Sequence, residues 1–189
     1  MKYWAALIAS LFAALTLHGP LQAEGVGAES TQQQGPAADP AFAAAIEAAK
    51  SAIMADPEQG LIEADKALDL AGKQTSNKLM SRAEALWLKA EALIGLNRLE
   101  EAGDVATEAL EIAQKEAPGS KLHGDLLRSR GGVRALSGNV QDALADYLQA
   151  HDIFRDAKNA RGQAIALQDI GLIYWEAGDY ERTLRYYAQ

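Results

Sequence analysis

The chain has 189 residues, no cysteine and a formal net charge of −8 at pH 7. An acidic chain repels phosphate backbones and anionic lipid headgroups, which argues against nucleic acid or a membrane surface as its partner. The absence of cysteine excludes disulfide bonds, thiol catalysis and thiolate zinc sites, so packing must stabilise the folded chain.

Residues 1–23 have the three parts of a secretory signal peptide. Lys2 is basic, residues 4–17 are apolar, and Gly19-Pro20 breaks the helix before the small residue Ala23. The apolar stretch is shorter than the roughly 20 residues that cross a bilayer, so we expect no membrane insertion of the mature chain. The pattern predicts cleavage after Ala23 and a periplasmic or secreted protein.

Residues 24–40 are rich in Gly, Gln, Ser, Pro and Ala and carry almost no large apolar side chain. Such a segment cannot bury enough surface to offset its chain entropy, which predicts a disordered linker. The ordered domain is then expected over residues 41–189.

Residues 41–189 contain an internal repeat. Four segments, which begin near residues 41, 83, 124 and 164, align without gaps. Small residues recur at position 8 (Ala48, Ala90, Gly131, Gly171), position 20 (Gly60, Ala102, Ala143, Thr183) and position 27 (Ala67, Ala109, Ala150). Small side chains at fixed positions allow two helices to pack closely, and a fixed period of this length is typical of solenoid proteins.

The fourth segment resembles the consensus of the tetratricopeptide repeat, above all over residues 166–174 and 178–180. The resemblance covers residues 41–189 and implies an all-α fold, a right-handed α-solenoid of antiparallel helix pairs. Its period near 40 exceeds the roughly 34 residues usual in the family, and we place the extra residues after the second helices, around residues 71–80, 116–123 and 157–162. The last repeat stops inside its second helix, which predicts a truncated repeat and a longer natural protein.

The turn within each helix pair has its own signal. Gly138-Asn139 and Gly178-Asp179 join a residue that tolerates a left-handed backbone to one that can cap the next helix. Asn97 can replace Gly because Asn also accepts a positive φ, and Asp56-Pro57 supplies a cap and a first helical residue.

Repeat one differs from the others in its predicted packing face. Only Ala44, Ala48 and Ser51 occupy the positions expected to face the second helix. Since these side chains bury little apolar surface, we expect repeat one to be the least stable.

The sequence contains no recognisable catalytic or metal-binding pattern. His123, which we place in a linker between repeats, and His151 are 28 residues apart, and no P-loop or G-x-S-x-G motif occurs. We therefore predict no catalytic residue, no metal, no cofactor and no enzymatic activity for this chain.

One stripe of side chains is a candidate binding groove. In the tetratricopeptide architecture the first helices line the concave face, and positions 5, 9 and 12 share one side of each helix. The side chains at these positions that could contact a ligand are Trp87, Glu91, Ile94, Arg128, Gln168, Leu172 and Trp175. Trp and Arg are frequent in binding hot spots. The alternative is that each Trp packs against the adjacent repeat.

These observations favour a non-catalytic periplasmic scaffold that binds a protein or peptide in its concave groove. An alternative is the periplasmic sensor region of a truncated membrane-bound signalling protein, because exported long-period arrays loosely resemble the input regions of some diguanylate cyclases and histidine kinases. A structural role in envelope assembly is a third hypothesis. The identity of the ligand and the oligomeric state stay open, because repeat motifs specify a fold more closely than a function.

Overall fold

A computed structural model describes residues 39–189, so the predicted signal peptide lies outside the described residues. Within this range all regular secondary structure is α-helical. Its eight helices are α1 (Pro40–Ile53), α2 (Pro57–Ala71), α3 (Lys78–Gly95), α4 (Leu99–Glu116), α5 (Lys121–Leu136), α6 (Val140–Asp156), α7 (Ala160–Glu176) and α8 (Tyr180–Tyr187). Asp39 and Pro40, which the sequence assigned to the linker, cap and open α1.

The helices form pairs that stack in chain order. Each first helix is joined to its second helix by a short turn, and every helix packs against the next one along the chain. In addition, the first helices contact one another in succession, α1 with α3, α3 with α5, and α5 with α7. These contacts confirm the all-α solenoid of helix pairs and place the first helices in one continuous layer.

With the exception of Ala48 in repeat one, the recurring small residues lie where helices meet, as predicted. Ala90, Ala102 and Ala109 have no exposed surface. Gly131 has no room for a side chain, because a Cβ atom there would lie 2.7 Å from the ring of Tyr147 on α6. Residue size at these positions therefore sets the distance between neighbouring helices.

The turns confirm most of the local predictions. Asn97, Gly138 and Gly178 have φ values of 57°, 82° and 76°. This left-handed backbone lets the chain reverse direction at each of the three turns. Asp56 accepts a hydrogen bond from the backbone of Gln59 at 3.1 Å.

One predicted cap is wrong. The side chain of Asn139 makes no capping hydrogen bond to α6, whereas that of Asp179 accepts one from the backbone of Arg182 at 3.0 Å. Instead, the negative charge of Asp142 in the first turn stabilises the N-terminus of α6.

The predicted packing face of repeat one is also wrong. Ala44 and Ser51 are exposed and Ala48 is only half-buried. The buried side chains of α1 are Phe42, Ala45, Ile46, Ala49 and Ile53. The turn at residues 54–56 has no left-handed residue, and α1 presents a face shifted by one residue relative to α3. This face is more apolar than predicted, so the reason for expecting a weak first repeat no longer holds.

The extra residues of the long repeats are divided between linkers and helices. The helices α3, α5 and α7 begin at Lys78, Lys121 and Ala160, so part of each predicted linker belongs to the following first helix. His123 accordingly lies in the first turn of α5 and is buried, not in a linker. Among residues 39–189 we find no helix with the length and apolar character that a membrane span requires.

Candidate functional site on the first-helix layer

Two hydrogen bonds between consecutive first helices repeat along the layer. The indole Nε1 of Trp87 donates to the hydroxyl of Ser129 at 3.1 Å, and Nε of Arg128 donates to the Asp169 carboxylate at 2.8 Å. Trp87 and Arg128 occupy position 5 of their repeats, and Ser129 and Asp169 occupy position 6 of the next. We call these two contacts rungs, because each joins one repeat to the next at equivalent positions.

The rungs change the interpretation of the predicted groove. Arg128 is largely buried, with 14% of its side chain exposed, and its partner Asp169 is 6% exposed. Because the Arg128 guanidinium is buried and bound to Asp169 of the adjacent repeat, it is not available to a ligand carboxylate. The prediction that Arg128 faces a ligand is therefore wrong, and for Trp87 the structure supports the packing alternative in part.

Trp87 is half-buried between two apolar clusters of the core. The ammonium group of Lys121 lies 5.7 Å from the centroid of its ring, within the range of a cation–π interaction. Lys121 also forms an ion pair with Asp125. One face of the indole thus packs in the solenoid, while its remaining surface borders a cleft.

Charged groups concentrate where α5 packs between α3 and α7. The Ser129 hydroxyl donates a short hydrogen bond to Glu91, and burial raises the pKa of the Glu91 carboxyl above its ordinary value despite this bond. Burial likewise raises the pKa of Asp169, although Arg128 opposes the shift. Burying the Glu91 and Asp169 carboxylates costs electrostatic free energy, and the positive charge of Arg128 offsets this cost.

Ile94 is not a groove residue. It is 1% exposed and packs in the core with Leu93, Ala102, Val133 and Leu136. Position 12 in repeat two therefore points between the helix layers, which corrects the prediction that Ile94 contacts a ligand.

The accessible part of the predicted stripe lies on α7. Gln168 and Leu172 are half-buried, and Trp175, in the last turn of the helix, is 46% exposed. Gln168 also lines a recess of about 430 Å³ between α7 and α8, together with Tyr186 and Tyr187. Of the seven predicted residues, those on α7 remain the best placed to contact a partner.

A larger cleft was not anticipated from the sequence. It has a volume of about 570 Å³ and opens between α1, the loop before α3, α3 and α5. Trp87 and Lys121 border it, and Lys50, Ser81 and Glu84 are among its other lining residues. Its walls come from three repeat-equivalent helices and one irregular loop, so no sequence period marks it.

A second feature missed from the sequence is the buried carboxylate of Asp146 on α6. Arg130 donates to it from Nε and Nη2 at 3.0 and 2.7 Å, and Arg134 from Nη1 at 2.7 Å. Arg134 occupies position 11 of repeat three, and the clamp gives this charged side chain a buried partner. The clamp joins the two helices of repeat three.

No cluster of His, Asp and Glu side chains within residues 39–189 has the arrangement of a metal site.

The architecture and the comparisons with known proteins agree. Stacked helix pairs with a continuous first-helix layer define an α-solenoid, a class of protein that presents extended surfaces to partners. Residues 123–189 match the model of the tetratricopeptide repeat family, and this part of the chain is a tetratricopeptide repeat region. The predicted resemblance is thereby confirmed, and the repeats imply a protein-interaction scaffold.

Two solved structures share the fold at low sequence identity. BtubC (BKLC) from P. vanneervenii superposes with a TM-score of 0.59 at 16% identity, over 70% of this chain and 54% of that one. MamA superposes with a TM-score of 0.52 at 20% identity, over 80% of this chain and 77% of that one. This chain therefore spans about half the length of BtubC. None of the curated proteins matches the sequence.

Proposed function

We propose that this chain is a non-catalytic periplasmic scaffold that binds a partner protein or peptide on its first-helix layer, at the exposed side of α7. The observation that carries the proposal is the exposure of Trp175, at 46%, three residues after the partly accessible Leu172. A large aromatic side chain that stays in water offers apolar area that a partner can bury. The residues of α3 and α5 at the equivalent positions are already engaged in rungs or core packing.

The partner's contacts should centre on Trp175. Tryptophan is the residue type most often found in hot spots, and it contributes most when neighbouring contacts exclude water around it. Leu172 lies on the same side of α7 and adds apolar surface beside Trp175.

A photo-crosslinking residue at position 175 tests this surface in the native host. It should give one defined adduct, whereas the same residue at position 148, a 40% exposed position on the second helix α6, should not. With the identified partner purified, Trp175→Ala should weaken the complex by about 2 kcal/mol or more. Leu148→Ala is the matched control and should leave affinity unchanged. Equal adducts at both positions, or unchanged affinity in Trp175→Ala, would exclude this surface.

The periplasmic location rests on the leader pattern at residues 1–23. In a Gram-negative host with the native leader, we expect the mature chain in the periplasmic fraction with Glu24 as its first residue. Intact mass spectrometry of the fractionated protein measures this directly. Replacing the small residue Ala23 by a bulky one should block processing, and a product that retains Met1 in the unaltered chain would contradict the proposed location.

A further inference from the structure

The hydroxyl of Ser129 lies at the centre of a polar junction between α3 and α5, where three groups are within hydrogen-bond distance of it. The indole Nε1 of Trp87, 3.1 Å away, can only donate. The backbone carbonyl of Asp125, also 3.1 Å away, can only accept. The third group is a carboxyl oxygen of Glu91, which accepts when it is ionised and can donate when it is protonated. The hydrogen bonds of Ser129 therefore depend on the charge state of Glu91.

The single hydroxyl proton of Ser129 cannot satisfy two acceptors. While Glu91 is ionised, Ser129 can donate to the Glu91 carboxylate or to the Asp125 carbonyl, but not to both. Once Glu91 is protonated, it can donate to Ser129, and the hydroxyl proton is free for the Asp125 carbonyl. The hydroxyl oxygen then accepts two hydrogen bonds and donates one, which is its full capacity. All three contacts are thus hydrogen bonds only when Glu91 is a carboxylic acid.

The charges around Glu91 favour the same protonated form. Arg128 of α5 attracts Glu91, but its Nε already donates to the Asp169 carboxylate at 2.8 Å. Asp125 of α5 and Asp169 of α7 both repel Glu91. Burial raises the pKa of Tyr147 on α6 well above its ordinary value, so this side chain remains a neutral phenol. The Glu91 and Asp169 carboxylates therefore share one guanidinium, and a proton on Glu91 balances the charge.

The ion pairs that join α3 to α1, α2 and α4 use other residues of α3. They are Lys50 of α1 with Glu84 at 3.4 Å, Asp65 of α2 with Lys89 at 2.6 Å, and Glu108 of α4 with Arg82 at 2.6 Å. Each of these charges thus has its partner elsewhere on the helix. Glu91 is only partly exposed, and burial is the main cause that raises its pKa above the ordinary value.

We propose that Trp87, Glu91 and Ser129 form a pH-sensitive latch between repeats two and three, which closes when Glu91 takes up a proton from water and donates it to Ser129. The latch does not include Trp175, so it does not depend on the proposed partner surface. Because the pKa of Glu91 is raised in the folded chain, the folded chain binds this proton more tightly than the unfolded chain. The stability that the latch contributes is therefore fully present below the unfolded pKa and is lost as the pH rises through the folded pKa.

The first test compares the stability of the full chain with that of Glu91→Gln as the pH changes. The glutamine amide has the shape of the protonated acid and can donate to Ser129, but it carries no charge at any pH. The folding equilibrium constant of the variant, divided by that of wild type, should therefore rise about tenfold from about pH 5 to about pH 8. A ratio that stays constant or falls over this range would overturn the proposal.

Glu111→Gln is the matched control for this measurement, because Glu111 is exposed on α4. Its ratio to wild type should not change over the same pH range. A rise as large as that of Glu91→Gln would show a general effect of net charge and would overturn the assignment to Glu91.

The second test locates the proton by NMR titration. The side-chain carboxyl resonance of Glu91 should titrate at a pH above the usual range of glutamate. The Nε1–H resonance of Trp87 should shift with the same midpoint, because both side chains contact Ser129. The indole of Trp175, which is 46% exposed, should not follow this titration. A Glu91 midpoint at or below the usual range, or a Trp87 resonance that does not respond to it, would contradict the latch.

The third test changes the charge balance without touching the latch itself. Asp169→Asn removes one of the two carboxylates that share Arg128, so the Glu91 midpoint should move to lower pH. The same NMR titration measures this midpoint in the folded variant. An unchanged or higher midpoint would show that the shared guanidinium does not hold the proton on Glu91, and the proposal would be overturned.

Discussion

Replacing Phe154 by alanine should lower the free energy of unfolding by about 3–5 kcal/mol, as for other fully buried aromatic residues. The ring has no exposed surface and packs directly against the backbone of two first helices. A Cβ atom on Gly124 of α5 would lie 2.6 Å from the ring, and one on Gly162 of α7 would lie 2.5 Å from it. The cavity left by alanine cannot close easily, because both backbones belong to regular helices.

Chemical denaturation followed by circular dichroism measures this loss. Leu148→Ala on the same helix α6 is the control, and it should change stability by no more than about 0.5 kcal/mol because Leu148 is 40% exposed. Gly124→Ala and Gly162→Ala test the same contact from the opposite side, and both should destabilise through overlap with the ring. A loss below about 1 kcal/mol in Phe154→Ala would show that the junction of repeats three and four is not tightly packed.

The parts of the fold that could be predicted are those that depend on side-chain size. Ala102 and Ala143 recur at one position because two helix backbones approach there, and both are fully buried. The left-handed turn residues Asn97 and Gly178 were predictable for a similar reason, since few residue types accept a positive φ. In each of these cases the local backbone geometry depends on a single residue type, which can be read from the sequence.

The orientation of α1 could not be predicted, because it depends on a turn that has no residue typical of a left-handed backbone. Residues 54–56 contain neither Gly nor Asn, and the gapless alignment assumed that repeat one turns like the others. A shift of one residue rotates a helix face by about 100°. As a result, Ala45 and Ala49 are buried instead of Ala44 and Ala48. Composition alone did not reveal this shift.

The site was predicted only in part for a related reason. Periodicity identified position 5 as one stripe, but it could not show that an acceptor in the next repeat lies within reach. The signal was nevertheless present, because Ser129 and Asp169 are polar residues at position 6 that each follow a donor at position 5 of the preceding repeat. The cleft at α3 gave no such signal, since the loop at residues 72–77 positions one of its walls.

Asp169→Ala should destabilise the chain by about 3–5 kcal/mol, because it leaves the Arg128 guanidinium buried without its carboxylate. The two side chains are 14% and 6% exposed, and Nη2 of Arg128 already has no hydrogen-bond partner within residues 39–189. Without the bond from Nε, the guanidinium keeps only the attraction of the nearby Glu91 and Asp125 carboxylates, and water cannot easily replace the lost acceptor. Since the rung joins α5 to α7, hydrogen exchange should show earlier opening of α7 and α8 than of α5 and α6.

Two further variants separate the charge from the contact. Asp169→Asn keeps the shape and one acceptor oxygen, so it should cost less than Asp169→Ala. The double variant Arg128→Met with Asp169→Leu removes both charges at similar volume. We expect it to be more stable than Asp169→Ala because no unpaired guanidinium remains, but less stable than wild type because the buried Glu91 loses the attraction of Arg128. Denaturation curves of the three variants measure this order. If the double variant were as unstable as Asp169→Ala, packing volume at the junction and not the unpaired guanidinium would determine the stability of this rung.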